Sequence, residues 1–328
     1  MTIRKPSLIQ SSKNTFMLSV VTPMYNEEEN ISMFLSKLIP ILNKITPNYN
    51  VICVNDGSTD NTLEKLKEKR NTHSAIKIIN LSRNFGKDKA LTAGLDYTQG
   101  DIVIPIDSDL QDPPELIEEM VNKWKEGFDV VYATRRIRHG ESWFKKSTAT
   151  FFYKIINAIS EIPVPKNTGD FRLIDKRVVE AIRRLPEEAR FMKGLFSWVG
   201  FRQTSIMYDR QPRFSGKTSW NYWKLWNFAL DGFTSFSHLP IRIWSYIGIT
   251  ISLLSLVYAI AIITYVITKG IDVPGYASLM VVTLFLGGII LIGLGVLGEY
   301  IGRIFIEVKR RPLYLVSELW GFERETKR

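Results

Sequence analysis

The chain has 328 residues, 45% of them hydrophobic, and carries 43 Lys and Arg against 33 Asp and Glu, a formal net charge of +10. That length holds one substantial core with an appendage. The positive balance points to anionic partners: nucleic acid, a phosphate-rich substrate or an anionic membrane face. The only cysteine, Cys53, excludes an internal disulfide framework. Its apolar neighbours Val51, Ile52 and Val54 predict a small buried residue in a reducing compartment.

Residues 1–15 are polar and basic without an apolar stretch, which predicts a surface-lying tail and not a signal peptide. From Phe16 onward, short β-branched runs alternate with charged amphipathic stretches. Strands are expected at Leu18–Val21, Val51–Asn55, Ile76–Leu81, Ile102–Ile106 and Val130–Thr134, with helices starting near Glu27, Asp60, Lys87 and Pro113. Such alternation implies an α/β fold with a mainly parallel sheet and helices on both faces. Ligands then bind outside the carboxyl ends of the strands.

Two aromatic-rich segments follow, near residues 143–160 and 220–237. Phe144, Phe151, Phe152, Ile155 and Ile156 recur at helical spacing with lysines between them, and Trp220, Trp223 and Trp226 mark the second. They predict interfacial amphipathic helices. Residues 241–306 then read as a transmembrane hairpin, with spans at about 243–267 and 279–301, each near the ~20 residues needed to cross a bilayer. Arg303, Lys309, Arg310 and Arg311 follow the second span, whereas the intervening turn holds Lys269 beside Asp272. The positive-inside rule puts the catalytic domain and both termini in the cytoplasm of a cell with a multi-pass inner-membrane protein. Residues 307–328 read as a cytoplasmic tail. Glu299 is expected to pair with Arg303 one turn on, and Gly298 and Gly302 form a small-xxx-small pair of the kind that packs helices within or between subunits.

The acidic strand end Asp107-Ser108-Asp109-Leu110-Gln111-Asp112 is the strongest chemical signal. Where a strand ends and the backbone turns, both carboxylates at i and i+2 can face one cleft. Hard oxygen ligands of this kind suit Mg2+ or Mn2+, with phosphate oxygens and water completing the shell. The competing reading is a solvated loop capping the next helix at Asp112-Pro113-Pro114. A second acidic strand end is Asp56-Gly57-Ser58-Thr59-Asp60. There Gly57 permits a tight turn and Asp60 caps a helix starting at Asn61, leaving Asp56 without a structural role and available to a ribose or base. Tyr25 offers a stacking face and Glu27 a further acceptor.

Thr22-Pro23-Met24-Tyr25-Asn26-Glu27, Asn55-Asp56-Gly57-Ser58 and Asp107-Ser108-Asp109-Leu110-Gln111-Asp112 together resemble the signature series of family 2 inverting glycosyltransferases of the GT-A (Rossmann-like) fold. Leu81-Ser82-Arg83-Asn84-Phe85-Gly86-Lys87 resembles the polyprenyl-phosphate branch, which includes bactoprenol glucosyltransferases and dolichol-phosphate mannose synthases. The resemblance covers residues 16 to 311 and implies a GT-A catalytic domain over 16–240. It implies that Pro23, Tyr25, Glu27, Asp56 and Ser82 help hold the nucleotide-sugar donor. By the same resemblance Asp107, Asp109 and Gln111 bind the diphosphate and its metal. Arg135 would meet substrate phosphate, Asp170 matches the catalytic carboxylate alongside Asp109, and Arg213 and Lys217 match a basic acceptor loop. That loop departs from the family's Ser-Lys-Tyr pattern, its lysine being displaced to Lys217. Gly216-Lys217-Thr218 also mimics the end of a P-loop, but position 211 is Gln, which excludes that reading.

The expected reaction is transfer of a hexose, glucose from UDP-glucose foremost, to undecaprenyl or another polyprenyl phosphate. GDP-mannose is the alternative donor. A homo-oligomer and a flippase are expected partners beside the lipid and the membrane. A processive polysaccharide synthase is disfavoured by two spans and no Gln-x-x-Arg-Trp. A non-catalytic anchor recruiting a flippase is disfavoured by the intact acidic motif. Nucleic acid is excluded as a partner because the basic residues sit beside aromatic and apolar segments, where they meet anionic lipid.

Overall fold

The computed structural model describes residues 16–136, residues 168–209 apart from 186, 189 and 191, and residues 239–269 and 275–322. The expected tail at 1–15, the aromatic helices near 143–160 and 220–237, and Arg213 and Lys217 lie outside the described residues.

The first half is a run of strand–helix units: β1 (Leu18–Met24), α1 (Ile31–Ile45), β2 (Tyr49–Asn55), α2 (Thr62–Thr72), β3 (Ile76–Leu81), α3 (Lys87–Asp96), β4 (Ile102–Pro105), α4 (Leu116–Lys125) and β5 (Val130–Arg135). Then come β6 (Thr168–Asp175), α5 (Lys176–Arg183), α6 (Met192–Trp198) and β7 (Gln203–Tyr208). Two long helices, α7 (Leu239–Lys269) and α8 (Tyr276–Lys309), precede β8 (Val316–Trp320). The strands form one eight-stranded sheet in the order β7-β5-β6-β4-β1-β2-β3-β8. β1 pairs in parallel with both β2 and β4, β2 with β3, and β5 with β7, while β6 and β8 run antiparallel to their neighbours.

Side-chain alternation explains why the central strands read as unbroken apolar runs. Val20, Val51, Cys53, Ile78 and Ile104 enter one core with α1, α2 and α4. Val21, Ile52, Val54, Ile79 and Val103 enter a second with α3, α5 and α6. Successive residues face opposite sides, so a strand covered on both faces is apolar at every position. Helix α1 buries Ile31, Phe34, Leu35, Leu38 and Leu42, the spacing of one helical face. Helix α3 lies so close to β1 that a Cβ on Gly94 would fall 2.2 Å from Val21 Cγ1.

The strands match expectation within a few residues, but three helices begin later. α1 begins at Ile31 and not near Glu27, and the Glu27 and Glu28 N–H groups donate across to Thr62 Oγ1 and Asp60 Oδ2. α2 begins at Thr62, whose N–H donates to Asp60 Oδ1 at 3.0 Å, so Asp60 does serve the helix start, one residue later than expected. α4 begins at Leu116, and Asp112 does not cap it; Asp112 is buried and accepts from the Tyr208 hydroxyl.

Within the expected C-terminal tail, residues 316–320 form an edge strand against β3. Tyr314 donates to Asp96 at 2.8 Å, Lys67 lies over the Trp320 ring, and Phe322 packs edge-on against Tyr97. Among the described residues, one helical stretch, Val281–Lys309, is long and apolar enough to cross a membrane. Leu253, Leu254 and Val257 on α7 and Leu279, Val281 and Leu291 on α8 are exposed. The indole of Trp244 lies where a Cβ on Gly293 would be, so the two helices touch there. Arg303 pairs with Glu299 at 3.0 Å, as expected.

Candidate active site

Strand polarity gathers the chemistry. β1, β2, β3, β4, β5 and β7 run the same way, so their carboxyl ends share one edge; β6, running oppositely, brings its first residues there. Tyr25 and Glu27 follow β1, Asp56 follows β2, Ser82 to Lys87 follow β3 and Asp107 to Asp112 follow β4. Arg135 closes β5, Asp170 is the third residue of β6 and Tyr208 closes β7.

The loops after β1 and β2 are laced together. Asn26 N–H donates to Ser58 Oγ at 3.0 Å, and Asn26 Oδ1 accepts from Thr59 N–H at 2.8 Å. Asn26 has φ 55, a left-handed conformation that Asn tolerates. Gly57 has φ +63, and a Cβ there would sit 2.3 Å from the carbonyl carbon of Arg83, so no side chain fits. Tyr25, 46% exposed, leaves its ring open at this edge, with Pro23 half-buried beside it.

Asp56 proves to have a structural role. It is buried, and its two oxygens accept the N–H groups of Phe85 at 2.7 Å and Gly86 at 2.9 Å. Burial raises its pKa, against the pull of those two N–H groups and Arg83. Asp56 therefore grips the β3–α3 loop and sets where Lys87, the first residue of α3, projects.

Asp107 and Asp109 both lie near Glu27. Burial raises the Glu27 pKa; Asn30, which donates to it at 2.6 Å, and Ser108 oppose that rise, and the two aspartates add to it. The turn holding the aspartates is strained. Leu110 is left-handed at φ 58, and Gln111 N–H reaches back to Asp109 Oδ1 at 3.2 Å. Lys87 Nζ stands 2.7 Å from Asp107 and 2.7 Å from Asp170. Burial works against its charge, but the two carboxylates outweigh that and raise its pKa. Arg172 supports the same corner: its guanidinium donates to Gly169 O at 2.7 Å and lies over the Phe196 ring. Burial lowers the Arg172 pKa to about 10, which leaves it charged at neutral pH.

Arg135 Nε donates to the Tyr208 hydroxyl at 3.4 Å, and that hydroxyl donates to Asp112. A Cβ on Gly169 would lie 3.2 Å from Arg135 Nη2, so the guanidinium packs over the residue before Asp170. Burial opposes the Arg135 charge, but Tyr208, Asp112 and Asp107 more than offset it.

The sheet edge thus brings together Pro23, Tyr25, Glu27, Asp56, Asp107, Asp109, Gln111, Arg135 and Asp170, with exposed Ser82 at the start of the loop that Asp56 grips. Sequence reasoning did not single out Lys87 or Tyr208. Lys87 carries a signal in retrospect, since it ends the quoted Leu81–Lys87 motif. Tyr208 carries none, because its partners lie 73 and 96 residues away in the chain. Asp107, Asp109 and Gln111 supply two carboxylates and an amide, and no group of three His, Cys, Asp or Glu side chains poised to hold a metal ion occurs among the described residues. A partial oxygen set of this kind fits Mg2+ or Mn2+, which keep water and phosphate ligands, better than a metal needing a full protein cage.

Comparison with known proteins adds lineage to this geometry. The Glycosyl transferase family 2 model matches residues 19–183, and the GtrB C-terminal hairpin model matches residues 239–304. A glycosyltransferase of Synechocystis sp., sll0501, is 62% identical over 309 residues, 94% of this chain and 97% of that protein. The SfII prophage-derived bactoprenol glucosyl transferase of Shigella flexneri is 46% identical over 302 residues, 92% of this chain and 97% of that protein. Among solved structures, glucosyl-3-phosphoglycerate synthase from Mycobacterium tuberculosis, with Mn2+, UDP and glucosyl-3-phosphoglycerate, aligns at a TM-score of 0.45 and 20% identity, covering 70% of this chain and 82% of that one.

Proposed function

The chain belongs to glycosyl transferase family 2, and from that premise we propose that it transfers glucose from UDP-glucose to a polyprenyl phosphate at a membrane face. The observation that carries this reading is the convergence of Asp107, Asp109 and Gln111 with Arg135 and Asp170 at one sheet edge, in a chain that continues into long apolar helices. The bactoprenol glucosyl transferase relatives favour glucose over mannose and a lipid phosphate over a soluble acceptor. The hairpin match at residues 239–304 is in keeping with two crossings by α7 and α8, and the excess of Lys and Arg at the end of α8 argues for the catalytic sheet on the cytoplasmic side.

Asp107, Asp109 and Gln111 would hold Mg2+ or Mn2+, which when bound supplies positive charge to the leaving nucleoside diphosphate. Tyr25 offers its ring to the base, with Pro23, Glu27 and Ser82 beside it. Asp56 acts through the loop it grips. Arg135 takes a phosphate, and the family resemblance assigns Arg213 and Lys217, outside the described residues, to acceptor binding. Asp170 follows Gly169, whose carbonyl Arg172 holds, and pairs with Lys87, through which it helps orient the acceptor phosphate for in-line attack on the anomeric carbon. A phosphate monoester has a second pKa near ~6, so it is substantially dianionic at neutral pH and needs no strong base.

Purified protein in detergent, given polyprenyl phosphate and Mg2+ or Mn2+ with labelled UDP-glucose, UDP-galactose or GDP-mannose in parallel, should label the lipid from UDP-glucose alone. Label from GDP-mannose alone would make the chain a mannosyltransferase. No labelled lipid with donor binding intact would indicate a different acceptor or a non-catalytic anchor.

A further inference from the structure

Tyr208 ends β7 where the chain leaves the sheet toward residues 210–238, the stretch containing Arg213 and Lys217. The residue is 5% exposed and its ring belongs to the same core as Trp124 and Phe171. A phenylalanine would fill that volume equally well, so packing does not explain the hydroxyl. A buried hydroxyl is costly unless both its donor and acceptor capacities are used. Here both are used within the site: it donates to Asp112 and accepts from Arg135 Nε at 3.4 Å.

The arrangement has a chemical consequence. A carboxylate placed directly on Arg135 would take up its two Nη groups in a bidentate pair. With Tyr208 between them, Asp112 anchors the guanidinium by its Nε edge, leaving the Nη edge packed over Gly169, next to Asp170. A long side chain with several rotamers is thereby held in one direction before a substrate arrives. We propose that Tyr208 is a positioning residue that couples Asp112 of the acidic motif to Arg135 and aims Arg135 at the acceptor phosphate. This rests on the polyprenyl-phosphate reading above.

Steady-state constants for both substrates would be measured in wild type, Tyr208→Phe, Arg135→Met and the double variant. Tyr208→Phe keeps the ring. It should raise KM for polyprenyl phosphate about tenfold, the worth of one charge-assisted hydrogen bond. KM for UDP-glucose should stay near wild type, whereas the thermal midpoint should fall by a few degrees because buried Asp112 loses a donor. In the Arg135→Met background the same substitution should change nothing further, because Tyr208 would then have nothing to aim. Where Arg135→Met turns over too slowly, calorimetric binding of a short-chain polyprenyl phosphate completes the same cycle. An unchanged acceptor KM, a shift in donor KM alone, or an equal loss with and without Arg135 would each overturn the inference. Wild-type protein forming no glucosyl lipid would instead sink the parent reading.

Discussion

Lys87 Nζ, 2.7 Å from both Asp107 and Asp170, puts a cation between two carboxylates of the candidate site. The contact means that Asp170 does not act in isolation, and its replacement can be graded. Asp170→Asn keeps an oxygen and the shape while removing the charge. Because the acceptor phosphate is already ionised, this variant should retain turnover at least about tenfold above Asp109→Ala. Complete loss with donor binding preserved would show that Asp170 takes a proton. Cys53 offers a separate residue-scale check. It is 0% exposed, and burial pushes its thiol up to about 12. Both the burial and the raised value favour an inert neutral thiol. A thiol reagent should therefore react only as the protein unfolds, giving one cysteine's worth of signal per chain. Immediate reaction of native protein would contradict the buried placement.

At the scale of elements, what was legible in the sequence follows from locality. β1 to β5 and the four helices among them announce themselves because each is a contiguous run of one period. Helix starts fall a few residues late where hydrogen bonds cross between the loops, and no local pattern encodes those partners. Asp56 looked free of structural duty because the amide groups it grips are 29 and 30 residues on. The turn at Leu110 was hidden because leucine gives no hint of a left-handed backbone. β8 was hidden for another reason: five residues with Glu318 in their midst show no convincing alternation, and the partner β3 is more than 200 residues earlier. Its contacts make it part of the catalytic domain's edge, and the Leu315 carbonyl accepts from Ser82 N–H at 2.9 Å, at the start of the loop that delivers Lys87. Ending the chain after Arg311 should therefore cost several kcal/mol through lost burial of Tyr314, Trp320 and Phe322. A thermal midpoint within a degree of the full chain would contradict that account. Gly94→Val tests the α3–β1 approach: overpacking against Val21 should cost about 1–3 kcal/mol in denaturant unfolding.

On the scale of the whole molecule, the +10 charge and the apolar helices are complementary features. A family 2 catalytic sheet gathers acidic and basic groups at one edge, and the chain then runs through α7 and α8 before β8 returns to the same sheet. That return ties the chain leaving α8 to the edge of the catalytic sheet by hydrogen bonds between β8 and β3. If apolar burial anchors the chain, full-length protein in liposomes should stay with the vesicles through a high-salt wash, which screens purely electrostatic attachment. Release by salt would mean that the basic residues alone hold it. The central claim concerns the bond that is made, and mass spectrometry of the lipid product with identification of the released nucleotide tests it most directly. With UDP-glucose, polyprenyl phosphate and Mg2+ or Mn2+, the account predicts a lipid heavier by one hexosyl residue and stoichiometric UDP, both abolished by EDTA and by Asp109→Ala. Release of UMP with a lipid diphosphate product, or an unchanged lipid beside intact UDP-glucose, would contradict it.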